Sequence, residues 1–132
     1  MIKAEMVKKI KGLSEYAKKE GWVFTFDKDE STFFYGPRTI PDDAKLFSVN
    51  DEFSVYLSAQ HQLRGVVLEY YACNFVEHHE EFKGLFEKIF KSHKDEEVVV
   101  DPKNKKNSDI GVFQALFERT LIAEAVGAKI HS

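Results

Sequence analysis

Apolar residues near the start of the chain recur at intervals of three and four, which is the spacing of a helix with one buried stripe. The stripe consists of Ile2, Met6, Ile10, Leu13 and Ala17, with Tyr16 beside it. Gly21 follows directly, and glycine is the residue most often found just past a helix end. The pattern predicts one N-terminal helix that stops at Gly21.

After Gly21 the apolar period changes from about 3.6 to about two residues, which is the period of a β-strand with one buried face. Trp22, Phe24 and Phe26 form the first alternating set, and the polar turn DKDES separates it from a second strand, TFFY. Three more strands are predicted at AKLFSV, FSVYLS and LRGVVLEYY. The loops between these strands are too short for crossover helices, so we expect a mainly antiparallel sheet, with a meander as the simplest strand order.

Helical spacing returns in the second half of the chain. One helix is predicted from Phe75 to His93, and a last helix from Asp109 to Gly127, with AKIHS as a tail. Between them, EEVVVD is a candidate for a short sixth strand. This order of elements predicts a single α+β domain over residues 1–132. We expect a two-layer sandwich with an N-terminal helix and two C-terminal helices on one face of the sheet.

The composition is that of a folded globular protein, because 43% of the residues are hydrophobic and 31% are charged. No apolar run approaches the length of about 20 residues that a membrane span requires, and lysines interrupt the apolar groups of the N-terminal segment. Cys73 is the only cysteine and has no partner for an internal disulfide, which agrees with a reducing compartment. These features predict a cytoplasmic protein without a membrane partner.

The segment CNFVEHHEEF holds the side chains that most suggest chemistry, but it also has the features of a helix start. Asparagine is a preferred N-cap residue, and Glu77, three positions after Asn74, completes a variant of the capping box. Glu80 and Glu81 then bring negative charge to the first turns, where the helix dipole favours it. The sequence therefore predicts that Asn74 begins a helix, and that stability accounts for these polar residues.

Two chemical interpretations of this segment stay open beside the structural one. A metal site could use His78 and Glu81, with His61 from elsewhere, but zinc requires three or four converging ligands and this segment supplies at most two. Cys73 could be a reactive thiol, but its aromatic surroundings favour a buried, inert cysteine. We therefore assign no catalytic residue, metal ligand or cofactor.

Nucleic-acid binding is a third interpretation, since lysines are concentrated in the first helix and in the loop PKNKKN. The candidate phosphate contacts are Lys8, Lys11, Lys103, Lys105 and Lys106. The net charge of −3 opposes such binding, because affinity for phosphate depends on clustered Lys and Arg. Nucleic acid is therefore a disfavoured partner.

The sequence favours a small non-catalytic interaction domain that acts through protein–protein contacts or self-association. No complete catalytic motif is present, and the chain is rich in aromatic residues of types that are enriched at interfaces. These residues include Trp22, Tyr35, Tyr56, Tyr70 and Tyr71. We expect the contact surface to be an exposed face of the sheet or of a helix. A metal protein or enzyme that uses Cys73, His78 and Glu81, or a weak nucleic-acid-binding protein, is the alternative.

Overall fold

The computed structural model describes residues 3–49, 53–69, 77, 79–91, 96–103 and 108–131. Its elements belong to an α+β fold, as the sequence predicts. In chain order they are α1 (Lys3–Lys11), α2 (Leu13–Glu20), β1 (Val23–Asp27), β2 (Thr32–Gly36), β3 (Lys45–Ser48), β4 (Ser54–Leu57), β5 (Leu63–Leu68), α3 (Glu80–Phe86), a π-helical turn (Glu87–Lys91), β6 (Glu97–Val100) and α4 (Ser108–His131).

The strands form one six-stranded sheet in the order β3-β4-β5-β2-β1-β6, and every described pair is antiparallel. The expected meander is wrong, because β2 pairs with β5 instead of β3. β5 is apolar on both faces, with Val66 and Leu68 fully buried and Val67 only 7% exposed. By contrast, β3 is exposed at three of its four positions. The strand that must be covered on both sides therefore lies inside the sheet, and the more polar strand lies at an edge.

The helices pack on one face of the sheet, which we call the helix face, and an aromatic cluster fills the space between the layers. The ring of Phe24 stacks on Tyr35 with centroids 4.3 Å apart and meets Phe113 and Phe117 edge-on. Phe33 contacts the same two α4 rings. Each fully buried phenylalanine contributes about 1.5–3 kcal/mol relative to an exposed one. This cluster is the main link between sheet and helices.

The predicted N-terminal helix is two helices, because the chain breaks at Gly12. This residue has φ −89° and ψ 8°, and α2 begins immediately after it. The predicted stop at Gly21 is confirmed, since Gly21 adopts a left-handed conformation with φ 67°. A side chain would make that conformation costly, so glycine suits the position.

The helix predicted from Phe75 to His93 is interrupted in the described residues. His79 has φ −134° and precedes α3, so the described helix begins at Glu80 and has no side-chain hydrogen bond at its N-cap. Glu80 and Glu81 do lie in its first turn, as predicted. Asn74, the predicted cap, lies outside the described residues.

The last helix is longer than predicted, because α4 continues through Gly127 to His131. The segment 128–131, predicted as part of a tail, is helical. A glycine ends a helix when its backbone turns left-handed, and among the described glycines only Gly21 has a positive φ. A glycine that stays helical costs about 1 kcal/mol relative to alanine, which is too little to stop a helix held by a long buried stripe.

Candidate functional site

Several of the residues singled out in the sequence lie outside the part of the chain that the structure describes. They are Cys73, His78, Lys105, Lys106, Tyr70 and Tyr71. The reactive-thiol hypothesis and the part of the metal-site hypothesis that depends on His78 therefore remain predictions.

The two described members of the candidate metal site occupy different elements. His61 is exposed in the turn between β4 and β5, with φ 60°. Glu81 is exposed in the first turn of α3. Within residues 3–49, 53–69, 77, 79–91, 96–103 and 108–131, no three His, Cys, Asp or Glu side chains are arranged to hold a metal ion.

His79, the second residue of the histidine doublet, contacts two carboxylates from different helices. Its Nε2 lies 3.0 Å from Oε1 of Glu124 in α4, and its Nδ1 lies 3.9 Å from Oε1 of Glu81. The side chain is only 15% exposed. This contact connects the start of α3 to α4 and places a carboxylate oxygen against Nε2, one of the two ring nitrogens through which a histidine can bind a metal.

The described basic candidates do not line a common pocket. Lys8 and His61 line a groove of about 620 Å³ between α1 and the β4–β5 turn, together with Glu5 and Lys9. Lys103 lines a different pocket, beside α2 and α4. Lys11 is exposed and belongs to neither lining. A single phosphate-binding patch built from these lysines has no geometric support in the described residues.

A buried polar cluster that sequence analysis missed lies on the helix face of the sheet. Glu118 of α4 is 7% exposed, and its Oε1 accepts a hydrogen bond of 2.6 Å from the hydroxyl of Tyr35. Its Oε2 accepts a hydrogen bond from the hydroxyl of Ser14 in α2. Gln114, one turn earlier in α4, donates from Nε2 to the Tyr35 oxygen at 2.8 Å. The cluster joins β2, α2 and α4 through neutral donors and one carboxylate.

Burial raises the pKa of the Tyr35 phenol far above its usual value. The hydrogen bond from Gln114 acts in the opposite direction, but it is outweighed by burial and by the nearby Glu118 carboxylate. A buried phenolate next to a carboxylate would be an unpaired second negative charge, so the phenol keeps its proton. Tyr35 is therefore a fixed hydrogen-bond donor to Glu118.

The carboxylate of Glu118 also lines a pocket of about 350 Å³, which we call the Glu118 pocket. The lining also includes the buried Trp22 and the partly buried Gln114. Ser14, Lys18 and Lys103 are the exposed part of the lining, which we call the rim. The ammonium nitrogen of Lys103 lies 3.7 Å from the position that a Cβ would take at Gly21. That position is the C-terminal end of α2, where the helix dipole favours a positive charge. The pocket lining thus combines a buried carboxylate, Glu118, with two exposed cationic side chains, Lys18 and Lys103.

The face of the sheet opposite the helices, which we call the open face, is largely uncharged. The strand register assigns to it Leu46, Ser48, Ser54, Tyr56, Gly65, Val67, Thr32, Phe34, Gly36, Val23, Thr25, Asp27, Glu97 and Val99. Leu46 and Val99, on the two edge strands, are 46% and 45% exposed. The charged members, Asp27 and Glu97, are cross-strand neighbours at one end.

The ring of Phe34 covers two glycines at the centre of the open face. A Cβ at Gly36 would come within 2.5 Å of the Phe34 ring, and one at Gly65 within 2.7 Å. The same ring meets Tyr56 edge-on, with centroids 5.9 Å apart. β5 also carries a bulge here, because Tyr56 pairs with Gly65 while Leu57 pairs with Leu63. Gly65 therefore accommodates an aromatic ring beside the irregular pairing.

Two of the aromatics expected at an interface are instead inside the core. Trp22 is 3% exposed and Tyr35 is fully buried, so neither is available to a partner. Tyr56 is partly exposed on the open face. The alternation of apolar residues in the sequence did not reveal two features of this face. They are the exposed aliphatic residues and the ring of Phe34, which lies over two glycines.

No known protein family, curated protein or solved structure matches the chain in comparisons of sequence and structure. Among the described residues, the helices are all too short or too polar to cross a lipid bilayer. The function must therefore be inferred from the two surfaces described above.

Proposed function

We propose that the protein is a non-catalytic interaction domain that forms a homodimer by packing the open faces of two copies against each other. The observation that carries the proposal is the mainly apolar band from Leu46 on one edge strand, across Tyr56, Phe34 and Thr25, to Val99 on the other. An apolar band across a whole sheet is a surface of the kind that marks protein–protein contacts.

The chemistry of the open face favours a second copy of the chain as the partner. In a two-fold interface each surface packs against itself, so charged groups near its centre would meet like charges. The open face has Tyr56, Phe34 and Thr25 in its middle, and its acidic pair, Asp27 and Glu97, is confined to one end. Two copies with antiparallel strands would keep these acidic ends apart.

The size of the open face implies a reversible dimer. Six strands about 4.8 Å apart and about 15 Å long cover roughly 430 Å². A standard interface buries about 800 Å² on each partner. We therefore expect a dissociation constant in the micromolar range, so that monomer and dimer exchange at ordinary protein concentrations.

Sedimentation velocity over protein concentrations from about 1 μM to about 1 mM tests the proposal, since this range brackets a micromolar dissociation constant. The variant carrying Leu46→Lys and Val99→Lys introduces four like charges into a dimer while changing only half-exposed side chains. Its matched control is Val112→Lys, because Val112 is 57% exposed and lies on α4, in the helix layer.

We expect the wild type and the Val112→Lys control to dimerise equally, and the double variant to bind at least tenfold more weakly. A wild type that stays monomeric over the whole range contradicts the proposal. So does a dimer that the control disrupts and the double variant does not, because that result would assign the contact to the helix layer.

A further inference from the structure

We propose that the Glu118 pocket binds a small zwitterion, a free α-amino acid, with its ammonium group at Glu118 and its carboxylate at Lys18 and Lys103. This site lies on the helix face of the sheet and is independent of the dimer contact. Its ligand class follows from the charges, the size and the hydrogen bonds of the pocket.

Glu118 is a buried acidic group whose hydrogen-bond partners in the described part of the chain are neutral. Its two oxygens accept from the Ser14 and Tyr35 hydroxyls, and a carboxylate has room for about four hydrogen bonds in all. Buried carboxylates are normally paired with a cation, because neutral donors offset the loss of solvation only in part. A ligand ammonium in the pocket would supply that cation and would use the remaining acceptor positions.

The rim of the pocket selects against a ligand that carries only a positive charge. Lys18 and Lys103 are the exposed cationic residues of the lining, so a simple amine would be repelled by two ammonium groups. A simple anion would be attracted by the rim but would meet Glu118 inside. A molecule with a positive group a few ångströms from a negative group matches both ends, since each opposite charge lies next to its partner.

The volume and lining of the pocket fit an amino acid. A volume of about 350 Å³ is at the small end of the range of about 300–1,000 Å³ found for small-molecule sites. Ala17, Trp22 and Pro102 provide an apolar wall for a side chain. Gln114 is engaged with Tyr35, which fixes the inner hydrogen bonds before a ligand enters. Preorganised polar groups of this kind raise affinity because they need no ordering on binding.

Nuclear magnetic resonance can report binding at this pocket directly, because Trp22 lines it and is the only tryptophan in the chain. Each of the standard L-amino acids is titrated to about 10 mM while the indole N–H signal of Trp22 is followed. We expect at least one of them to shift this signal saturably, with a dissociation constant of about 1 mM or tighter.

Two analogues of the best-binding amino acid then test the charge pattern. The corresponding amine lacks the carboxylate, and the corresponding carboxylic acid lacks the ammonium group. We expect each analogue to bind at least tenfold more weakly than the amino acid, because each loses one of the two charge-assisted contacts.

Variants test the two protein ends of the site separately. Glu118→Gln keeps the shape of the side chain but removes its charge, and Lys103→Met removes an exposed charge at the rim without touching the core. We expect both to weaken binding, the first by at least tenfold. Lys83→Met is the control, since Lys83 is an exposed lysine of α3 that does not line the pocket.

Three results would overturn the inference. The first is the absence of a saturable Trp22 shift with every amino acid. The second is binding that Glu118→Gln and Lys103→Met leave unchanged. The third is an amine that binds as tightly as its amino acid. Should Glu118→Gln fail to fold, Lys103→Met and the analogues still decide the question, because neither depends on the buried cluster.

Discussion

Glu118 accepts hydrogen bonds from Ser14 and Tyr35, which lie 104 and 83 positions away in the sequence. The sequence does contain a signal for this residue, because Glu118 follows Gln114 by one turn and precedes the buried Leu121 by three positions. A carboxylate in the apolar stripe of a helix requires a partner. The identity of that partner could not be predicted, since the spacing along α4 says nothing about which side chains of α2 and β2 face it.

The protonation of Tyr35 leads to a prediction for alkaline pH. The unfolded phenol ionises near pH 10, while the folded pKa is raised, so the contribution of Tyr35 is constant below that pH and is lost above it. We expect the free energy of unfolding to fall by about 1.4 kcal/mol per pH unit above about pH 10 from this group alone. Tyr35→Phe should lack this component, as measured by urea unfolding from pH 8 upward.

Absorbance of tyrosinate provides the control for this prediction. While the protein is folded, wild type and Tyr35→Phe should gain the same tyrosinate absorbance as the pH rises. A larger gain in the folded wild type would mean that Tyr35 ionises inside the fold, which contradicts the raised pKa.

Because the ring of Phe34 contacts Gly65, we expect the substitution of Phe34 to abolish the cost of substituting Gly65. Gly65→Ala brings a Cβ within 2.7 Å of the Phe34 ring, so we expect it to destabilise the wild type by about 1–3 kcal/mol. In a Phe34→Ala background the ring is absent, and the same change should cost about zero. Chemical unfolding of the four proteins in this cycle measures the coupling.

Gly84→Ala is the matched control for the glycine cycle. Nothing lies within 4 Å of a Cβ at this α3 position, so alanine should stabilise the protein by about 0.5–1 kcal/mol through its higher helix propensity. Equal costs for Gly65→Ala in both backgrounds would show that the ring is not the cause.

At the scale of elements, periodicity predicted which segments are helices and strands better than it predicted their ends. The alternation of Phe53, Val55 and Leu57 is confirmed by their burial at 2% or less. The breaks at Gly12 and His79 were missed, because a helical stripe continues in phase across a single non-helical residue. Conversely, Gly127 resembles a helix stop in sequence, but its backbone remains helical.

We expect the contact between His79 and Glu124 to stabilise the packing of α3 on α4. Glu124→Gln should lower the free energy of unfolding by about 0.5–1 kcal/mol, because it removes the charge of the carboxylate that lies 3.0 Å from Nε2 of His79. Glu81→Gln is the control, because Glu81 is 52% exposed and 3.9 Å from the same ring, and it should have almost no effect. Thermal unfolding of the two variants compares them, and equal losses would contradict a specific role for Glu124.

At the scale of the whole molecule, the fold class followed from the order of elements, but the strand order did not. Short loops correctly suggested antiparallel neighbours for β3, β4 and β5. The connection from Pro37 to Ala44 has eight residues. It therefore allows β3 to lie at the edge of the sheet instead of beside β2. The composition of the strands did contain a signal for the pairing of β2 with β5. VVL in β5 is apolar at consecutive positions, and TFFY in β2 is similar. Two strands of that kind favour each other as neighbours inside a sheet.

The two proposed sites lie on opposite faces of the sheet, so we expect them to act independently. The Leu46→Lys and Val99→Lys variant should keep the Trp22 response to the amino acid, and Glu118→Gln should keep the dimer. Substitutions that share no contacts usually add within about 0.5 kcal/mol. Sedimentation of the pocket variant and titration of the face variant measure this, and a loss of both properties in one variant would point to unfolding or to coupling through the sheet.

The late position of α4 in the chain has a consequence for the nascent protein on the ribosome. The hairpin β1–β2 and the group β3–β4–β5 involve near neighbours and can form early. The rings of Phe24 and Phe33, however, can pack on Phe113 and Phe117 only after another 80 to 93 residues have been synthesised. Until α4 has been synthesised, the apolar helix face of the sheet is exposed to solvent, which promotes aggregation and binding by chaperones. A stalled or truncated translation product would therefore be a substrate for quality control.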